Sequence, residues 1–322
     1  MTRTPAARRP AFTLIELLVV ISIIAVLAAI TTGVFGRVRL SQTKSATDAT
    51  LAKLNSLIER RVKAIHDQVA DDVKNNTSLY ALVEADVLAS GGNKDLAKAV
   101  WTHAKMKNEL PMSFAEAKAP TPVFGVRTIP VKAVFAALPV GVAGGTPEES
   151  AVCLYLAVTA NAGGGTAAET DGLQQQIGDA GLGGFKCFKD AWGTPIAFVR
   201  TAYNGEVAGK PFFVPTPTNP NPFDPFDPRG KLPGMTGLAG WWTAVRAPVT
   251  WAGVPTTYPP AAPANLNHTW TAISAGPDKQ WWGPRGTPGA ATDIYGLTVP
   301  DTDTAKDNQL SYRLRREGAR GD

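Results

Sequence analysis

The chain has 322 residues, of which 44% are hydrophobic and 18% are charged. This composition is sufficient to bury a core, predicts one or two domains and excludes wholesale disorder. The formal net charge is +5, but Arg3, Arg8 and Arg9 precede the first apolar segment, and without them 29 basic residues stand against 27 acidic ones. Basic and acidic residues are mixed along the rest of the chain, so the charge pattern predicts no nucleic-acid partner.

The first apolar segment carries the strongest signal in the sequence. Residues 1–11 are polar and basic, and from Phe12 to Phe35 the only ionisable residue is Glu16. A helix of this length, at about 1.5 Å per residue, crosses a hydrocarbon core about 30 Å thick. The arginines ahead of it favour a cytoplasmic N-terminus, which places the rest of the chain on the far side of the membrane.

A secretory signal and a generic membrane anchor are two ordinary interpretations of this segment. A secretory signal has an apolar core of about 7–15 residues followed by a small-residue cleavage site, which is shorter than the run found here. A generic single-span anchor has the right length but leaves Glu16 unexplained, because an acid in the apolar region costs about 3 kcal/mol and usually has a partner.

The segment from Ala11 to Leu17, with the sequence Ala-Phe-Thr-Leu-Ile-Glu-Leu, resembles the processing site of type IV prepilins and type II secretion pseudopilins. The resemblance implies that prepilin peptidase cleaves between Ala11 and Phe12 and methylates the new amine. It also implies that Glu16 pairs with the terminal ammonium of Phe12 on a neighbouring subunit during assembly. The family prefers Gly before the cut, and this chain has Ala11 there.

The same resemblance implies a location and a set of partners. The protein is expected in the bacterial inner membrane as a single-pass chain, with a cytoplasmic N-terminus and a periplasmic or extracellular head, and in a filament after assembly. Its expected partners are itself, other pilin-like subunits, prepilin peptidase, and the secretion or pilus assembly platform. The implied function is a structural subunit of a pseudopilus or pilus-like filament, not an enzyme.

The apolar pattern predicts one long helix over residues 12–69, because no proline interrupts it. Apolar residues then recur every three or four positions in one stripe, with charged residues off the stripe. The stripe consists of Leu51, Leu54, Ile58, Val62, Ile65 and Val69. The predicted organisation is a leader, the transmembrane part of the helix, its exposed continuation, and a globular head with a Pro-rich insertion. The corresponding ranges are 1–11, 12–35, 36–70 and 71–322, with the insertion at 211–265.

Further elements follow in chain order. Helices are predicted from Thr77 to Ala89, from Asn93 to just before Pro111, and from the capping sequence at Thr146, whereas residues 111–145 show no clear period. Strands are predicted at 196–199 and 270–273. The fold class is therefore α+β, with a long N-terminal transmembrane or spine helix, packed helices and a small C-terminal antiparallel sheet, as in pilin-like proteins.

Two cysteines, Cys153 and Cys187, leave two alternatives open. Outside the cytoplasm they could form a disulfide that closes a loop of about 35 residues and stabilises the fold by roughly 3–4 kcal/mol. The alternative is two buried thiols that never meet.

A calcium site is the one metal site that the sequence suggests. Asp278 and Asp293 lie among several aspartates in a Gly/Pro-rich C-terminal stretch, and such carboxylates are calcium ligands. The combination of Asp190–Pro195 with Ser274–Asp278 is similar to the major pseudopilin of type II secretion, in which a loop closes over bound calcium. In that comparison Asp278 matches the loop acid and Asp293 a later acid, but Lys279 replaces a glycine. The alternative is that these aspartates cap turns and face water.

Two other classes of function remain as rivals. One is a membrane-anchored surface binding protein or adhesin that uses the same anchor, with insertion 211–265 and its tryptophans as the binding surface. The other is a membrane-tethered enzyme, which would require a clustered polar pocket. The sequence contains no zinc-protease, nucleophile-elbow or phosphate-loop motif to support the enzyme.

Overall fold

The computed structural model describes residues 14–141, 145–159, 172–202, 269–277, 279 and 309–310. For 29–37, 201–202, 269 and 309–310 it describes the backbone alone. The chain divides into two compact units, residues 1–45 and residues 46–322. The predicted leader 1–11 and the predicted insertion 211–265 lie outside the described residues.

Helix α1 runs from Leu14 to Lys74 without a break, which confirms the prediction of a single long helix and extends it past residue 69. It ends where Asn76 adopts a left-handed conformation with φ of 46°. Asn is one of the few non-glycine residues that tolerate this conformation, and it commonly follows a helix terminus. The helix therefore ends at a local signal just before the next helix begins.

The second unit is built on the predicted stripe of α1. Its six residues are at most 4% exposed, and they belong to the main hydrophobic core. Lys53, Arg60, Lys63 and Asp67, which the pattern places off the stripe, are exposed. The 3.6-residue period thus correctly separates the buried and solvated faces of this part of α1.

Helices α2 (Ser78–Ala89) and α3 (Lys94–Glu109) pack against each other and confirm the two predicted helices. The Asn93 side chain accepts a hydrogen bond of 2.9 Å from the Leu96 backbone N–H, which caps α3. Tyr80 and Trp101 pack edge to face across the pair, with ring centroids 6.2 Å apart. The Asn93 cap fixes the start of α3, and the aromatic contact joins the two helices.

Residues 111–141, for which the sequence shows no period, contain only short elements. They are α4 (Phe114–Lys118), the strands β1 (Thr121–Pro122) and β2 (Thr128–Ile129), and a 3-10 turn at Ala133–Phe135. The two strands form an antiparallel hairpin. Elements of two to five residues are too short to create a periodic pattern, which is why the sequence does not reveal them.

Helix α5 (Pro147–Thr159) begins at the predicted capping sequence, where the Thr146 hydroxyl accepts a hydrogen bond of 3.2 Å from the Glu149 N–H. It packs against two small antiparallel sheets. The first consists of β3 (Ile177–Asp179) and β4 (Lys186–Phe188), which the sequence does not predict. The second consists of β5 (Ala197–Ala202), β6 (Thr269–Ser274) and β7 (Gln309–Leu310), in that order.

The described architecture is therefore a mixed one, with an N-terminal helix, packed helices and small antiparallel sheets. Strands β5 and β6 confirm the two strands predicted at 196–199 and 270–273. Within the described part of the chain, no helix combines the length and the apolar character needed to span a membrane. The membrane-spanning role of residues 12–35 remains a prediction.

Candidate functional site

The first turns of α1 present an unusual surface. Every side chain from Leu14 to Ala28 is exposed. Eleven of these residues are large and apolar, with exposed fractions from 47% at Val20 to 81% at Leu14. The hydroxyl of Ser22 donates to the Leu18 carbonyl at 2.8 Å, so this polar group is satisfied within the helix. Contiguous apolar surface of this kind marks an interaction site for protein or membrane.

Glu16 lies in the first turn of α1 and is exposed. A carboxylate at this position interacts favourably with the positive end of the helix dipole. Ala11 and Phe12, the predicted processing residues, lie outside the described residues, so the structure gives no geometry between them and Glu16. The pairing of Glu16 with Phe12 of a neighbouring subunit remains a prediction.

A second candidate is the turn after β4, whose centre is the buried carboxylate of Asp190. Its Oδ1 accepts hydrogen bonds from the backbone N–H groups of Trp192 at 3.0 Å and Thr194 at 2.8 Å. Its Oδ2 accepts a hydrogen bond of 2.7 Å from the hydroxyl of Ser274, the last residue of β6. The turn also requires Gly193, whose φ of 83° is in the left-handed region. Asp190 therefore links the turn to the end of β6 by a hydrogen bond.

The same turn is attached to α1. The Ala191 N–H donates to the hydroxyl of Thr47 at 3.2 Å, and Thr47 is completely buried. Burial raises the pKa of Asp190, while hydrogen bonds from Ser274 and from the backbone of Thr194 and Trp192 oppose that rise without cancelling it. Both carboxylate oxygens accept hydrogen bonds from this chain's own donors, which gives Asp190 a structural role in the turn.

The structure brings together the two segments that carry the predicted calcium site but does not describe its ligands. Ser274 contacts Asp190, although 84 positions separate them. Asp278 and Asp293 lie outside the described residues, and the described residues contain no group of three or more His, Cys, Asp or Glu side chains that could hold a metal ion. Calcium remains a prediction.

The two cysteines are on α5 and β4, which pack against each other. Cys153 and Cys187 are both buried and both free, so the structure contains no disulfide between them. Burial raises the pKa of the Cys153 thiol well above its ordinary value and raises that of Cys187 to about 11. Both side chains therefore behave as small apolar residues in this structure.

Sequence reasoning missed a group of charges in the second unit, in which Arg200 is buried and Glu116 and Lys107 are partly buried. Glu116 of α4 forms ion pairs with Arg200 of β5 at 2.9 Å and with Lys107 of α3 at 3.5 Å. Arg200 also donates to the Leu110 carbonyl at 2.7 Å. Burial alone would raise the pKa of Glu116, but Arg200, Lys107 and the Met112 N–H outweigh it and hold the pKa below its ordinary value.

A related contact joins Glu109 of α3 to Arg61 of α1 and to Lys132. Glu109 is completely buried. Arg200 lies 84 positions from Glu116, and Arg61 lies 48 positions from Glu109, so no local pattern could have identified these two ion pairs.

Comparison with protein families finds one match. Residues 7–32 match the family described as the prokaryotic N-terminal methylation motif. Comparison with curated proteins and with solved structures found no significant match. The matched residues include Ala11, Phe12 and Glu16 and extend into the exposed apolar part of α1. The chain thus carries the N-terminal motif that is typical of type IV pilin-like precursors, which prepilin peptidase processes.

Proposed function

We propose that this protein is the structural subunit of a type II secretion pseudopilus or a type IV pilus-like filament. Prepilin peptidase removes residues 1–11 and methylates Phe12. The processed subunit remains in the inner membrane through residues 12–35 until an assembly platform adds it to the filament. In the filament, the same residues pack against their counterparts in neighbouring copies.

The exposed apolar stretch from Leu14 to Ala28 carries this proposal. Complete burial of one large apolar side chain stabilises a protein by about 1.5–3 kcal/mol. Eleven such residues, each roughly half exposed, therefore represent on the order of 10 kcal/mol. This is comparable to the whole stability of a domain, so the stretch needs a covering of lipid or of other subunits.

Glu16 specifies how the subunits pack. A carboxylate in an apolar environment costs about 3 kcal/mol, and a terminal ammonium with no opposite charge beside it has a similar free-energy cost. When Glu16 of one copy meets the Phe12 ammonium of the next, each charge is neutralised and the register between copies is fixed. Such contacts are head-to-tail. When the rotation that relates one copy to the next does not bring the last copy back to the first, they build an open helical fibre and not a ring.

The Asp190 turn supports the pseudopilin alternative. The notable feature is the hydrogen bond between Asp190 and Ser274, because these residues belong to the two segments that resemble the major pseudopilin. In this proposal, the turn holds β6 against α1 and so fixes the start of the segment that carries Asp278. Calcium binding by Asp278 and Asp293 is part of the same proposal.

The mass of the mature N-terminal peptide tests the proposed function. The full chain is expressed in a bacterium that has prepilin peptidase, isolated from the membrane and digested, and its N-terminal peptide is analysed. We expect a peptide that begins at Phe12 and carries one additional methyl group. The same chain isolated from a strain without the peptidase should retain residues 1–11. An intact Met1 in the presence of the peptidase, or a cut beyond residue 28, would refute the proposal.

A further inference from the structure

The part of α1 that follows the apolar stretch has an uneven charge. No acidic residue occurs between Glu16 and Asp48, whereas Arg37, Arg39 and Lys44 all lie in that interval. The side chains of Arg39 and Lys44 are exposed. Among the ion pairs of the described residues, none includes either side chain.

We propose that Arg39 and Lys44 form a basic collar that binds the anionic headgroups of the leaflet on the side of the head. This inference rests on the proposed function, because it requires residues 12–35 to stand in the membrane. The partner is a lipid surface, and its recognition is electrostatic.

The geometry of α1 places both cations at headgroup level. The helix continues unbroken through this region. With a rise of about 1.5 Å per residue, the Cα atoms of Arg39 and Lys44 lie about 6 Å and 14 Å beyond that of Phe35. Helical side chains lean toward the N-terminus, which here means toward the membrane, so the long Lys44 side chain reaches back to the headgroups. The headgroup layer beyond the hydrocarbon is about 5–8 Å thick.

The two cations point to different sides of the helix. They are five positions apart, which corresponds to a rotation of about 140° around the helix axis. A helix that stands in a bilayer is surrounded by headgroups, so cations on different sides can each find an anionic partner. Val38 and Leu40 are 49% and 53% exposed, and they flank Arg39 with apolar surface. Mixed apolar and cationic side chains are suited to the membrane interface, where the stem is buried and the charge remains in water.

Removal of the leader changes the balance of positive charge between the two ends of the apolar segment. Arg3, Arg8 and Arg9 precede the apolar segment of the precursor, and an equal number of cations follows it. Processing at Ala11 removes those three arginines but leaves the collar. The processed subunit is therefore held mainly from the outer side, which is the direction in which it must leave the membrane.

Spin-labelled lipids test the collar directly. The full chain is reconstituted in phosphatidylcholine vesicles that contain a trace of spin-labelled phosphatidylglycerol or spin-labelled phosphatidylcholine. Electron paramagnetic resonance then gives the fraction of each lipid that the protein immobilises. One cation near an anionic surface gives about a fivefold preference, which corresponds to about 1 kcal/mol. We expect the protein to immobilise the anionic lipid several-fold more strongly, with a preference that falls as salt is raised to about 0.5 M.

The double variant Arg39→Gln/Lys44→Gln should reduce the anionic preference at least threefold. The matched control, Arg60→Gln/Lys63→Gln, removes the same charge from exposed positions on the same helix and should preserve the preference. All these chains retain the leader, so the arginines at its start contribute equally to each.

The outcomes separate the collar from the proposed function. If no chain immobilises any lipid, residues 12–35 are not in the bilayer, and both the anchor and the collar are refuted. If lipid is immobilised but the double variant keeps the anionic preference, only the collar is refuted. An equal loss in the matched control would also refute it, because net charge and not position would then be responsible.

Discussion

Two stretches of the same helix, Leu14 to Ala28 and Leu51 to Val69, are both rich in apolar residues, yet they differ completely in exposure. The six stripe residues of the second stretch are at most 4% exposed because α2, α3, α5 and the sheets contribute to the same core. The eleven large apolar residues of the first stretch are at least 47% exposed. The sequence pattern explains the difference, since the second stretch has a polar face and the first has none.

The acids of the second unit take their partners from this chain. Partly buried Glu116 forms ion pairs with Arg200 and Lys107, and buried Asp190 accepts a hydrogen bond from Ser274. For Glu16 in the first unit, the proposed function adds a partner from outside the chain, the Phe12 ammonium of another copy. In the same proposal, lipid or other subunits cover the exposed apolar side chains around Glu16.

The largest expected effect comes from placing a charge in each stretch. Ile58→Asp puts an unpaired carboxylate at a fully buried position and should destabilise the protein by more than about 4 kcal/mol. Ile24→Asp changes a residue that is 59% exposed and should leave the unfolding temperature nearly unchanged while impairing membrane insertion. Thermal unfolding of the full chain in detergent, followed by circular dichroism, measures the unfolding temperature of the two variants. Equal destabilisation by the two variants would contradict the comparison.

The next largest effect concerns Glu116. Glu116→Gln leaves Arg200 buried beside a neutral amide and should destabilise the protein by about 3–5 kcal/mol at neutral pH. Because the pKa of Glu116 is lowered in the folded state, its stabilisation is complete above the ordinary value of 4.5 and is lost as pH falls through the lowered value. Urea unfolding between about pH 6 and pH 3 should therefore show a shallower acid dependence in the variant, by up to about 1.4 kcal/mol per pH unit.

The matched control for this pH profile is Glu59→Gln, which changes an exposed acid on α1. It should retain the acid dependence of the unmodified protein. If Glu116→Gln also retains it, the ion pairs with Arg200 and Lys107 do not stabilise the ionised carboxylate, and the interpretation of this group is wrong.

A smaller effect is expected at the Asp190 turn. Asp190→Ala removes acceptors for two backbone N–H groups and for the Ser274 hydroxyl, and should cost about 2–4 kcal/mol. A double-mutant cycle with Ser274→Ala measures the contact itself, for which we expect a coupling energy of about 1 kcal/mol. Asp67→Ala, at an exposed ion pair, serves as the control and should cost less than about 1 kcal/mol. Additive effects of Asp190→Ala and Ser274→Ala would show that the contact does not stabilise the fold.

The smallest expected effect is that of calcium. We expect a weak site with a dissociation constant of about 0.1–1 mM. When the calcium concentration is about tenfold to hundredfold above that constant, binding stabilises the folded state by about 1.4–2.7 kcal/mol. Addition of calcium should raise the unfolding temperature of the unmodified protein but not that of Asp278→Asn. Magnesium at the same concentration is the control and should have less effect. If the calcium shift is unchanged in Asp278→Asn, the prediction for this residue is wrong.

Local signals in the sequence were sufficient for the longer elements. The absence of proline and the apolar stripe predicted α1, and Asn93 and Thr146 marked the starts of α3 and α5 through their side-chain oxygens. In contrast, the short elements of residues 111–141 and the hairpin of β3 and β4 were not predicted. They are stabilised by contacts with distant residues, such as the hydrogen bond between the Glu149 carboxylate and the Phe114 N–H.

The candidate sites divide in the same way. The motif around Ala11, Phe12 and Glu16 is contiguous, so the sequence alone suggested its processing and assembly role. The segment Asp190–Pro195 was singled out by its resemblance to the major pseudopilin. The hydrogen bond between Asp190 and Ser274 depends on the pairing of β5 with β6. The Glu116 and Glu109 groups gave no signal, because each joins separate parts of the chain that only folding brings together.

Filament formation by Glu16→Leu tests whether an acid in the apolar stretch is neutralised by the terminal amine of another copy. Filaments are counted by electron microscopy for the unmodified protein, Glu16→Leu and the control Asp71→Leu, an exposed acid elsewhere on α1. We predict normal processing at Phe12 for all three, and loss of filaments for Glu16→Leu alone. Unchanged filaments in Glu16→Leu would contradict the account.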